Sequence, residues 1–162
     1  MHGDALSAAA AEVAARLRAD GAVPALIPFG GSSALGARGY SVCGRELLAQ
    51  APDLDTVVVA LCSGGTMAGL VHALDTDRVL DVHCGAVTDP AGIVSAFVSD
   101  LSGTAHIPNS LRLRPDQVGE GYDALTEPVV AALNRTARTG LFGHRAALEE
   151  TASDLTARSH TL

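Results

Sequence analysis

Apolar and polar positions along this chain follow two rhythms, one of helices and one of buried strands, in alternation. Residues 4 to 20 are alanine-rich, with Asp4, Glu12 and Arg16 interrupting the apolar run, and Asp20-Gly21 marks the end of a helix. AVPALIPF (22–29) reads as a short apolar strand, and GGSS (30–33) turns into a second helix over about 33 to 50, ended by Pro52. TVVVALC (56–62) is apolar on both faces and rich in β-branched residues, the pattern of a buried parallel strand. SGGT (63–66) opens a third helix, over about 65 to 75, and RVLDVHCGAV (78–87) is the next strand. Asp89-Pro90 starts a helix through about Leu101, SLRLRPDQVGEGY (110–122) holds a short strand and a turn, and Glu127-Pro128 begins a helix to about Arg138. Strands and helices alternating with short connections predict an α/β fold, a parallel sheet with helices on both faces.

Composition narrows this picture without changing it. A chain of 162 residues suits one domain, and 48% apolar with 18% charged residues excludes a disordered or fibrous class. Aromatics are only 3%, which suits small side chains packed between helices and a sheet. The net charge of −7 argues against nucleic-acid backbone binding, so an anionic ligand needs local help from backbone N–H groups or a few arginines. The three cysteines, Cys43, Cys62 and Cys84, are odd in number with no CxxC, and read as free thiols of a reducing cytoplasm. The start lacks the basic segment of a signal peptide, and no apolar run approaches the ~20 residues of a membrane span. His2, His72, His83, His106, His144 and His160 show no metal spacing, so no metal is expected.

The chemistry concentrates at Ser63-Gly64-Gly65-Thr66, between a strand's carboxyl end and a helix's amino end. The first N–H groups of a helix lack internal partners and its macrodipole adds about half a positive charge, so the turn can cradle a phosphate. Thr66 adds a hydroxyl. The turn has neither the lysine of a Walker A loop nor GxGxxG spacing, and a tight turn with glycine where the backbone packs closely fits it as well. Ser63 is not within GxSxG, which argues against a hydrolase elbow. In PFGGSSALGARGY (28–40), Ser32 or Ser33 is a natural N-cap, and Gly36 and Gly39 would let the helix pack tightly on a neighbour. Cys62, just ahead of a helix, reads either as a reactive thiol or as a small buried residue.

IPFGGSSALGARGY (27–40), LCSGGTMAGL (61–70), VGEGY (118–122) and EPVVAAL (127–133) occur in an order that resembles one family. It is the D-cysteine desulfhydrase and 1-aminocyclopropane-1-carboxylate deaminase family, pyridoxal phosphate enzymes of the tryptophan synthase β-like fold. The resemblance spans about residues 4 to 139 and corresponds to the carboxyl-terminal half of the family's chain. It implies that residues 1–139 form most of a pyridoxal phosphate-binding domain, with 140–162 read as a divergent helical tail that a frameshift would explain. It also implies that Ser63, Gly64, Gly65 and Thr66 bind the cofactor phosphate, and that Tyr122 faces cofactor and substrate and helps move a proton. The implied partners are a small amino-acid substrate and either further copies of the chain or a missing amino-terminal half.

Departures from the family are as informative as the matches. Every one of the 11 basic residues is an arginine, so the lysine that would anchor the cofactor is absent. The family's Thr-Gly before SGGT is Leu61-Cys62 here, its glycine after the tyrosine is Asp123, and GLFGHRAALEE replaces a segment resembling DPVYTGK. Without that amine the isolated chain is expected to be inactive, and its uncovered apolar surfaces predict self-association.

Overall fold

Three parallel strands carry the architecture, and the helices that connect them carry the core. The computed structural model describes residues 3–122 and 124–139. The elements are α1 (Gly3–Ala19), α2 (Ala34–Gln50), β1 (Val57–Leu61), α3 (Gly65–Leu74), β2 (Val79–His83), α4 (Pro90–Ser102), β3 (Arg112–Arg114) and α5 (Glu127–Thr139). The sheet order is β1-β2-β3, all parallel, with Val57 opposite Val79, Leu61 opposite His83 and Leu80 opposite Arg112. The α/β expectation therefore holds.

Two of the helices begin where the sequence provides a side-chain cap. Ser33 accepts a hydrogen bond from the Gly36 amide at 3.0 Å to start α2, and Asp89 accepts one from Gly92 at 2.9 Å to start α4, with Pro90 in its first turn. The core gathers Val59 and Leu61 of β1, Val79 of β2, Ala37 of α2, Met67, Ala68, Leu70, Val71 and Leu74 of α3, and Val94 and Val98 of α4. Helix α3 runs through its centre: seven of its ten residues are buried.

Three expectations need correction. Residues 22–28 form no strand. Pro24 and Pro28 supply no N–H to a ladder, and no strand among the described residues lies beside them. Val23 is 98% and Ile27 79% exposed as a result. Secondly, Gly36 and Gly39 are not the tight helix contact: a Cβ on Gly39 would meet open space, and one on Gly36 would meet the Gly31 carbonyl at 2.6 Å. The close approaches of α2 to α3 come at Gly69, where a Cβ would sit 2.6 Å from Tyr40 Cβ and 2.9 Å from the Ser41 nitrogen, and at Gly44, where a Cβ would sit 2.7 Å from Ala73 Cβ. Thirdly, the second strand stops at His83, short of Val87, because Gly85 turns the chain away at φ +80°.

Helix α1 differs from the others. It buries Ala14, while Leu6, Val13 and Leu17 remain more than 40% exposed. Asp123, His2 and residues 140–162, with His144 and His160, lie outside the described residues.

Candidate functional site

A cavity of about 240 Å³ opens where β1 ends and α3 begins. Its walls come from two glycine turns and two tyrosines, Tyr40 and Tyr122, and the sequence explains how they meet. The strand delivers Cys62 and Ser63 to the sheet edge, and Gly64 then takes φ +90° as the N-cap of α3. A residue with a side chain would be strained there. The other turn, Phe29-Gly30-Gly31-Ser32, reaches the same point from the start of α2, with Gly30 at φ +63° and Gly31 at φ +67°.

The two turns lock through hydroxyls. Ser32 Oγ lies 2.7 Å from Ser63 Oγ and accepts the Gly65 amide at 3.1 Å. A Cβ on Gly30 would collide with Ser63 Oγ, and one on Gly65 would lie 2.6 Å from Ser32 Oγ, so both glycines are needed for this approach. Ser63, Gly64, Gly65, Thr66 and Tyr122, separated by up to 59 positions in sequence, all line this one cavity. Phe29, Gly30, Gly31, Tyr40 and Cys62 complete most of the remaining wall. The first N–H groups of α3 and the hydroxyls of Ser32, Ser63 and Thr66 form a donor-rich end that can hold an anion. Tyr122 stands across the cavity, its Oη 3.8 Å from Cys62 Sγ.

Next to this end lies a group of titratable side chains. Cys84 Sγ is 3.4 Å from Cys62 Sγ and 2.8 Å from the Leu61 carbonyl oxygen. The contact with Cys62, together with burial, holds the Cys84 thiol well above its usual range. One turn of register back, Asp81 is fully buried, and neither carboxylate oxygen has a hydrogen-bond partner. Burial first, and the nearby Cys62 second, push its carboxyl up to about 8. His83 Nδ1 is also buried without a partner, and burial lowers the pKa of its ring. Among the described residues no group of three His, Cys, Asp or Glu is placed to hold a metal ion.

Sequence reasoning singled out the SGGT turn and Tyr122 but read GGSS as packing. Ser32 is instead a wall of the cavity and the acceptor for an α3 amide, while its neighbour Ser33 takes the capping role. The available signal was the repetition of a paired glycine turn with serine leading into a helix at both clusters. Asp81 was missed too. Its signal was a carboxylate in the middle of the apolar run VLDVH.

Comparison with known proteins places the chain in a family. The profile of the family described as pyridoxal-phosphate dependent enzyme matches residues 2–147. The D-cysteine desulfhydrase of Klebsiella pneumoniae subsp. pneumoniae is 46% identical over 138 residues, 78% of this chain and 42% of that protein. The D-cysteine desulfhydrase of Yersinia pestis (strain Pestoides F) is 49% identical over 67 residues, 40% of this chain and 20% of that one. A crystal structure described as an ACC deaminase homologue superposes with a TM-score of 0.76 at 24% identity, over 95% of this chain and 51% of its own, and so shares the fold. The chain thus spans about two fifths of the length of the Klebsiella relative and half that of the solved structure. With the profile covering nearly all of its length, the chain belongs to the pyridoxal-phosphate dependent enzyme family.

Proposed function

We propose that this chain supplies the phosphate-holding part of a pyridoxal phosphate site of the D-cysteine desulfhydrase type, and that its 162 residues alone do not turn over substrate. The observation that carries the reading is the convergence of the α3 amino end, three hydroxyls and Tyr122 on one cavity. The fit to the cofactor is chemical. A phosphate needs several N–H and O–H donors and close backbone approach, and Gly64, Gly65, Ser63, Ser32 and Thr66 offer both. Bound pyridoxal phosphate supplies an electron-withdrawing ring that stabilises negative charge at a substrate's α-carbon.

In this reading Ser63 to Thr66 grip the phosphate through backbone N–H groups, and the Thr66 hydroxyl donates one more hydrogen bond. Phe29 and Tyr40 shield the cavity, and Tyr122 holds or releases a proton at its phenol oxygen. The relatives named D-cysteine desulfhydrase support elimination from D-cysteine to pyruvate, sulfide and ammonia as the reaction of the complete site. A related deamination remains the alternative. The side-chain amine that such enzymes use must come from outside these 162 residues, since all 11 basic residues are arginine. The zero lysine count equally favours a second reading, a module that binds a phosphate-bearing small molecule without chemistry.

Thermal unfolding with pyridoxal phosphate or with pyridoxal tests the proposal. The phosphate ester is expected to stabilise the chain, by roughly 1.4 kcal/mol at ten times its Kd. Pyridoxal should stabilise far less, and Thr66→Val should weaken the ester's effect. Equal stabilisation by both compounds would overturn the phosphate assignment. Sulfide released from D-cysteine by the purified chain would overturn the claim of inactivity.

A further inference from the structure

The sulfurs of Cys62 and Cys84 meet at the ends of neighbouring strands, a placement that the cofactor reading does not use. Leu61 and His83 are register partners in β1 and β2. The next residues, Cys62 and Cys84, therefore stand opposite one another, and the Cys84 amide continues the ladder by donating to the Leu61 carbonyl at 3.3 Å. Adjacent strands lie roughly 4.8 Å apart, within the range of Cα separations that a disulfide spans. Matched positions also project side chains on one face, and the two Sγ atoms are 3.4 Å apart. A disulfide bond is about 2.05 Å long, so the two sulfurs already lie within a short approach of bonding distance. Cys43, the third thiol, lies on α2.

We propose that Cys62 and Cys84 form a redox-active dithiol that a small-molecule disulfide converts to an intrachain disulfide joining the ends of β1 and β2. Cys62 lines the cavity and is the thiol that an incoming reagent reaches. Its sulfur attacks one sulfur of the reagent, forming a mixed disulfide, and the first small thiol leaves with the electron pair and a proton. Cys84 then attacks the Cys62 sulfur, and the second small thiol leaves in the same way. Two protein thiols are oxidised and one small disulfide is reduced to two thiols. The order follows from placement, because Cys62 lines the cavity whereas Cys84, its sulfur 3.4 Å from that of Cys62, does not. The proposal does not depend on pyridoxal phosphate binding.

The arginine-only composition makes the test clean. Cleavage after arginine places Cys43 in peptide 39–45, Cys62 in 46–78 and Cys84 in 79–112. The folded chain is treated with glutathione disulfide, its remaining thiols are alkylated, and the peptides are mapped without reduction. The expected product links 46–78 to 79–112, exceeding any product that contains 39–45 by about tenfold or more. A stable mixed disulfide on Cys62, pairing with Cys43, or the same mixture from urea-unfolded chain would overturn the proposal. A second measurement uses phenylarsine oxide, which bridges two close thiols. It should protect both 46–78 and 79–112 from alkylation at one arsenical per chain, and Cys84→Ser should abolish the protection. Protection of Cys62 alone in the unaltered chain, or protection that survives Cys84→Ser, would count against the dithiol. The arsenical result on the unaltered chain decides the matter if the variant does not fold.

Discussion

β1 and β2 have the same length, direction and register, yet their carboxyl ends are built on opposite principles. β1 runs into a turn whose polar atoms satisfy one another: Ser63 pairs with Ser32, and Ser32 takes the Gly65 amide. β2 carries Asp81 and His83, whose buried oxygens and Nδ1 have no partner. A buried polar group without a partner is destabilising by about 1–3 kcal/mol. An ionised one is worse, and the outcome is a carboxyl that stays protonated far above its usual range. The contrast separates a candidate ligand site already organised by its own backbone from polar groups whose energy depends on protonation.

The largest way to sharpen that contrast is pH. Asp81 titrates near 3.8 when unfolded and at about 8 when folded. Its favourable contribution is complete below the unfolded value and is lost as pH rises towards 8, because the unfolded chain releases the proton first. Stability should fall by about 1.4 kcal/mol per pH unit through this window. Urea unfolding of the parent and of Asp81→Asn at pH 5 and pH 8 checks this, and an equal pH slope in both would refute it. Next in size is Leu61→Ala on the β1 side. Leu61 is 1% exposed in the core, so the substitution should cost about 3 kcal/mol at either pH. A pH-dependent loss there would blur the distinction between the strands. The smallest effect belongs to Ser33→Ala, which removes the α2 cap and should cost about 1 kcal/mol of unfolding free energy, read from denaturant titration. It should leave any preference for pyridoxal phosphate over pyridoxal intact, since Ser33 does not line the cavity.

Much of this molecule could be read from its residues, and what could not shares one cause. Helices announced by local signals, such as Asp89-Pro90 and Glu127-Pro128, lie where those signals put them. So does β1, because an apolar β-branched run carries its environment with it. Residues 22–28 carry a similar run, but a strand exists only beside another strand, and that partner is a matter of tertiary structure. The site divides the same way. The SGGT turn is contiguous and legible, whereas the Ser32–Ser63 and Cys62–Cys84 meetings are fixed by how turns and strands fall side by side. Spacings of 31 and 22 residues carry no trace of either meeting.

The Ser32 hydroxyl has one more consequence. It already occupies the acceptor position on the Gly65 amide that a phosphate oxygen would want. Ligand entry at that amide is therefore an exchange of acceptors and not the filling of an unmet need. Hydrogen bonds to an ionised acceptor are roughly twice as strong as those to a neutral one, so a dianion can displace the serine where water or a sugar hydroxyl gains little. If the proposed phosphate site holds, the turn would act as a threshold on ligand charge, with discrimination set by a residue that belongs to the neighbouring turn.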